Sequence, residues 1–195
     1  ALSEWLEPGR LDRVTGRART YAASRAVDRE QLSGQLSPLV AGGEVDLRVA
    51  ALNAAAALEI QITDAALARM VRQSGALKVR LKALQLLVTQ DSELLPELAT
   101  ELTAAPESPL RLEALRIRAE LDPDATVEAI AQIVNQSGDR FERQSAVSLL
   151  AELETDSAQQ LAMKLLQQVE SGDAALRDVW LELVDAAGGQ GSSDY

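Results

Sequence analysis

The stretch Gly75-Ala-Leu-Lys-Val-Arg-Leu-Lys-Ala-Leu-Gln-Leu-Leu-Val88 decides the fold, because its skeleton returns at near-constant distance along the chain. Arg80 belongs to a column of arginines, Arg48, Arg80, Arg111, Arg143 and Arg177, whose members stand 32, 31, 32 and 34 residues apart. That spacing falls within the window of roughly 20 to 50 residues that marks stacked repeats. Three residues after each arginine come Ala51, Ala83, Ala114, Ala146 and then Trp180, followed by Leu52, Leu84, Leu115, Val147 and Leu181. A small residue beside a large one lets neighbouring helices approach closely. One residue before the arginine stand Leu47, Val79, Leu110 and Leu176; Glu142 breaks this apolar column, and Phe141 beside it is the expected substitute. Together these positions form one helical stripe.

Five residues before the arginine the chain has Gly43, Gly75, Gly138 and Gly172, with Pro106 once, and the next residue is Glu44, Ala76, Glu107, Asp139 or Asp173. Such punctuation predicts a glycine closing one helix in the left-handed conformation and an acidic residue capping the next. The tripeptide Gln73-Ser74-Gly75 recurs as Gln136-Ser137-Gly138. A second apolar-periodic run lies in each unit, around Leu67 to Val71, Leu94 to Leu102, Val127 to Val134 and Leu161 to Val169. Each follows a polar stop: Thr63-Asp64, Asp91-Ser92, Asp122-Pro123-Asp124 or Thr155-Asp156. Every unit therefore reads as helix, turn, helix, and the whole as an all-α chain of about ten to twelve helices.

A helical hairpin of about 32 residues with Val/Leu-Arg and then Ala-Leu in its first helix closely resembles the short HEAT-like repeat, the type also found in phycobilisome lyases. The resemblance runs from Glu44 to Gly188, with two departures: Ala76 lacks the acidic residue, and the fifth unit has only its first helix. It implies a right-handed α-solenoid of antiparallel helical hairpins. On this reading residues 1–43 are an N-terminal cap and divergent first hairpin, 44–188 the repeat array and 189–195 a flexible tail. Ala1 to Leu6 is the cap, Arg10 to Ala26 the divergent helix with Arg17 in the arginine column, and Asp28 opens its partner. The chain has neither an initiator Met nor a signal-peptide pattern, as expected of a processed or excised piece of a larger protein.

Composition narrows the chemistry. Histidine and cysteine are absent, which removes zinc and haem ligation, disulfides, cysteine nucleophiles and Ser-His-Asp triads. No cofactor or metal is expected, and a cysteine-free chain suits either redox compartment. A formal charge of −11 argues against a nucleic-acid platform, whose affinity comes from clustered cations. No apolar run reaches the ~18 residues needed to span a membrane. Aromatics make up 3% of the chain, so Leu, Ala, Val and Ile must fill the core.

The polar motifs have structural readings. The arginine column, Arg48 to Arg177, is read as inter-repeat: stems buried, heads paired with an acidic cap of the same or the adjacent unit. Asp122-Pro123-Asp124 lacks the glycine and terminal glutamate of a calcium loop and is read as a helix-connecting turn. Lys78 and Lys82 are read as solvated charge, and the tail glycines match no phosphate loop. By resemblance to the HEAT family, the outward face of the second helices meets the partner. Elimination of the apolar stripe leaves Arg69 and Arg72, then Glu93, Glu97 and Glu101, then Glu128 and Gln132, and further on Gln160, Lys164 and Gln167. The function expected is a non-enzymatic scaffold presenting a concave polar surface to a partner protein or to a neighbouring domain. The alternative is an accessory lyase or chaperone acting on a client protein, although the scarcity of aromatics disfavours a chromophore site. A DNA-lesion enzyme would need a basic, aromatic cleft.

Overall fold

The computed structural model describes residues 29–188. The cap, the divergent helix with Arg17, the expected helix start at Asp28 and the tail from residue 189 onward lie outside them. Ten α-helices and one 3₁₀ segment are present among the described residues, with no strand. They fall into two compact units that part between Ser92 and Glu93.

The first unit contains α1 (Arg29–Ala41), α2 (Val45–Ala57), α3 (Asp64–Gln73) and α4 (Leu77–Thr89). Helix α1 packs on α2, α2 on α4, and α3 on α4. Ala51, Leu52, Leu67, Val71, Val79, Ala83 and Leu84 are buried. The second unit contains α5 (Leu95–Leu102), α6 (Ser108–Leu121), α7 (Pro123–Gln136), α8 (Arg140–Glu152), α9 (Asp156–Glu170), the 3₁₀ segment Ala174–Val179 and α10 (Trp180–Gly188). Its helices pack on their next neighbour or their next but one, as α6 does on α7 and α8. Ala114, Leu115, Ala146 and Val147 are buried at this stack. An all-α chain built from such sequential contacts is consistent with a helical repeat.

Polar bonds between elements carry the same period. Ser92 Oγ donates to Asp64 Oδ2 at 2.5 Å, 28 residues away, and Gln90 Nε2 to the Ile62 carbonyl at 2.9 Å, also 28 away. In the second unit Ser108 Oγ donates to Asp139 Oδ2 at 3.2 Å across 31 residues, and Ser157 Oγ to Asp124 Oδ1 at 2.5 Å across 33. Each bond joins turns that lie about one sequence period apart.

Helix ends differ from the sequence expectation in an instructive way. Gly43 and Gly172 do adopt the left-handed conformation, at φ +118° and +102°. Gly75 and Gly138 do not; there the recurring serine works instead. Ser74 and Ser137 are extended C-caps, and their hydroxyls accept from Ala76 N at 3.3 Å and Asp139 N at 3.1 Å. Left-handed residues occur elsewhere, at Glu59 and Asp91, both with φ 54°. Each closes a first helix with the paired bonds of a Schellman motif: Ile60 N to Ala55 O with Glu59 N to Ala56 O, and Ser92 N to Leu87 O with Asp91 N to Val88 O. Asp91-Ser92 thus ends α4 rather than capping α5, whose N-cap is Leu94. Asp139, Asp173, Asp122 and Thr155 do cap their helices through the side chain, whereas Glu44 and Glu107 stand at the N-cap without such a bond.

The fifth unit departs most. A single helix from Asp173 was the expectation, with Trp180 and Leu181 in the alanine and leucine columns. Residues Ala174–Val179 instead form a 3₁₀ segment, which turns about 120° per residue rather than about 100°. Six such residues advance the following positions by about a third of a turn. Val179 and Leu183 take the buried places, while Trp180 is 46% and Leu181 68% exposed.

A left-handed aspartate is strained by its Cβ, so Asp91→Gly should stabilise the protein by up to about 1 kcal/mol. Urea unfolding checks this: a midpoint that falls instead would show that the Asp91 side chain contributes more than its backbone strain costs.

Candidate functional site

The arginine column supplies the most regular polar geometry. In the first unit Arg48 Nε donates to the Val40 carbonyl at 3.2 Å and Arg80 Nε to the Val71 carbonyl at 2.7 Å. Both acceptors lie in the last turn of the preceding helix, where carbonyls lack intrahelical donors. In the second unit Arg111 Nη1 likewise reaches the Ala105 and Pro106 carbonyls at 2.6 and 2.9 Å, just beyond the end of α5. Its remaining donors do something else. Nε and Nη2 hold the two carboxylate oxygens of Glu142 at 2.5 and 2.6 Å, and Ser137 Oγ donates to Glu142 Oε2 at 2.5 Å.

Glu142 is therefore the true occupant of the apolar column, with a side chain 0% exposed. The expected substitute, Phe141, is 69% exposed. Burial by itself pushes the Glu142 carboxyl up, but hydrogen bonds from Arg111 and Ser137, with the Arg111 charge, outweigh it and hold the group below its ordinary value. The hydrogen bond to Glu142 raises Arg111 correspondingly, against the opposing effect of its own partial burial. Arg143 pairs with Asp178, whose carbonyl also accepts from Gln144 Nε2 at 2.9 Å. Neither Glu142 nor Asp178 is the N-cap of its helix; those are Asp139 and Asp173. Arg177, inside the 3₁₀ segment, is exposed.

The second-helix candidates Arg69, Arg72, Glu97, Glu101, Glu128 and Gln132 are all exposed, as are Gln160, Lys164 and Gln167. Glu93 is exposed too but sits in the turn before α5, off the helix face. Two of these residues meet the arginine column in grooves. One, of about 430 Å³, is lined by Arg48, Arg69, Met70, Gln73, Ser74 and Gly75. The other, of about 440 Å³, has Arg111, Gln132, Ile133, Gln136, Ser137 and Gly138 among its lining. Every lining residue of the first groove except Ala41 recurs in the second at a constant offset of 63. Each unit thus carries a copy of one groove, walled by a second helix, floored by the serine-glycine turn and closed by a column arginine. Sequence reasoning missed Ser74, Ser137 and Glu142. Their signals were the recurring Gln-Ser-Gly tripeptide and an acid placed in an apolar column one period after an arginine.

The grooves hold hydrogen-bond donors and flexible amides. Among the described residues no cluster of acidic side chains is arranged to hold a metal ion, and no helix is long and apolar enough to cross a membrane.

Removing Arg111 alone strands a buried carboxylate, so Arg111→Ala should cost about 3–5 kcal/mol, whereas the pair Arg111→Met with Glu142→Leu should unfold near the wild-type midpoint. Chemical denaturation distinguishes them; equal losses in both variants would contradict this account of the pair. Because the folded-state value of Glu142 is lowered, its contribution is complete above the ordinary carboxylate range and is lost as pH falls through the folded value. Between about pH 5 and pH 3 the wild type should lose more stability than Glu142→Gln, measured as urea midpoints.

Compared with protein families, with curated proteins and with solved structures, the chain matches none.

Proposed function

We propose that this chain is a non-enzymatic interaction module: a right-handed α-solenoid of HEAT-like hairpins that offers the polar side of its second helices to a partner protein or to another domain of its parent. The observation that carries the reading is the groove copied at an offset of 63 residues. A catalytic centre needs one special constellation, whereas a recognition surface built from repeats displays the same depression again with different residues on its wall. Arg69 in one copy and Gln132 in the other are that kind of variation. The exposed polar residues of α7 and α9, Glu128, Gln132, Gln160 and Lys164, extend the same chemistry. Repeat arrays commonly use such extended surfaces.

Small-angle scattering tests the architecture. An elongated array should give a radius of gyration clearly above about 16 Å, the value for a compact domain of this length; a value at that figure rules the solenoid out. For the activity, tagged wild type and the double variant Glu128→Ala/Gln132→Ala are used as baits against native extract. The variant should keep the wild-type melting temperature and lose the partner that wild type retains. Retention of every partner by the variant would remove α7 from the binding surface.

A further inference from the structure

The second-unit groove contains its own template for a ligand. Three donors, Arg111 Nε, Arg111 Nη2 and Ser137 Oγ, converge on the Glu142 carboxylate at 2.5, 2.6 and 2.5 Å. At the same offset of 63 the first unit has Arg48 for Arg111 and Ser74 for Ser137, but Val79 stands where Glu142 would be. Val79 is fully buried and brings no oxygen. The donors of the first groove are therefore present without their acceptor.

Their hydrogen bonds differ in the same respect. Ser74 Oγ accepts from Ala76 N, as Ser137 Oγ accepts from Asp139 N, but only Ser137 passes its own hydrogen to a carboxylate. Arg48 uses Nε on the Val40 carbonyl at 3.2 Å, and its side chain lines the groove together with Ser74 and Arg69. Arg69 replaces Gln132 and adds a second cation. Among the described residues neither Arg48 nor Arg69 forms an ion pair with a carboxylate. Charge is also unevenly spread: residues 1–92 hold 12 Lys and Arg against 10 Asp and Glu, while residues 93–195 hold 7 against 20. The net −11 therefore belongs to the second unit, and an acidic ligand approaching the first meets a near-neutral surface with a cationic groove.

We infer that the first-unit groove binds a carboxylate side chain from an acidic segment of a partner protein, held by Arg48 and Ser74 with Arg69 as the second cation. This rests on the interaction-module reading and specifies the chemistry of one of its contacts. A guanidinium fork plus one hydroxyl suits the two oxygens of a carboxylate, as Glu142 demonstrates in the sister groove. A phosphate offers more acceptor oxygens and higher charge than this donor set answers.

The test is a titration of the ¹⁵N-labelled full chain with a capped hexaglutamate peptide at constant ionic strength. The amides of Ser74 and Gly75 should shift saturably, and those of Ser137 and Gly138, whose groove already holds a carboxylate, should not. Arg69→Gln, which copies the sister groove's Gln132, should weaken binding about tenfold. Val79→Glu should fill the groove from within and abolish it; if that variant does not fold, Arg48→Gln gives the same reading. Binding unchanged in Arg69→Gln and Arg48→Gln overturns the inference, as do equal shifts in both grooves or inorganic phosphate binding as tightly as the peptide. Such a failure is separable from failure of the interaction-module reading, which the α7 double variant reports independently.

Discussion

Close approach of successive first helices is the constraint on which the rest depends. Ala51 and Ala83 in the first unit, and Ala114 and Ala146 in the second, are buried where α2 meets α4 and α6 meets α8. A larger side chain there would separate the helices and open the leucines beside them to water, at a cost of about 1–3 kcal/mol for overpacking alone. Among the described residues no aromatic side chain is buried that could fill such a gap. The stack is therefore held by many small apolar contacts, and the polar ties one period apart set the register in which those contacts occur.

The second tie of importance is the arginine that reaches back to the carbonyls ending the preceding helix. In Arg48 and Arg80 this is a charge-assisted bond between helices consecutive along the chain. In Arg111 the same reach is combined with a buried carboxylate of α8, 31 residues on, so one side chain joins the α5–α6 turn, α6 and α8. Such a pair adds specificity of register more readily than net stability, because desolvation of Glu142 opposes the attraction. It is also position-specific: the column is apolar at Val79 and Leu110, and only at position 142 does a charge enter it.

Periodicity made the helices, their all-α class and the buried Ala-Leu columns legible in advance, since each position repeats its physical task four times. What was illegible had a local cause. Glu142 read as an interruption because a single column cannot show that its partner sits one repeat upstream. Gly75 and Gly138 read as left-handed stops because glycine permits that conformation; the neighbouring serine hydroxyl, which the tripeptide also repeats, supplied the turn instead. Asp91 read as a polar stop before the next helix and Glu59 drew no reading, for a left-handed backbone leaves no mark on an acidic side chain. At Ala174–Val179 a change of helical pitch moved Trp180 and Leu181 out of phase, and pitch is not encoded in a hydrophobic pattern. Of the grooves, the arginine and the second-helix residues were legible singly, but their meeting around the serine-glycine turn depended on how the helices pack.

Packing in which the described helices mostly touch their next or next-but-one neighbour within each unit also governs how the chain reaches its fold. Contacts separated by few residues close small loops, so little chain entropy must be lost before packing begins to compensate. Either unit can begin from a single hairpin and grow by adding one helix at a time, with each new helix finding its partners already in place.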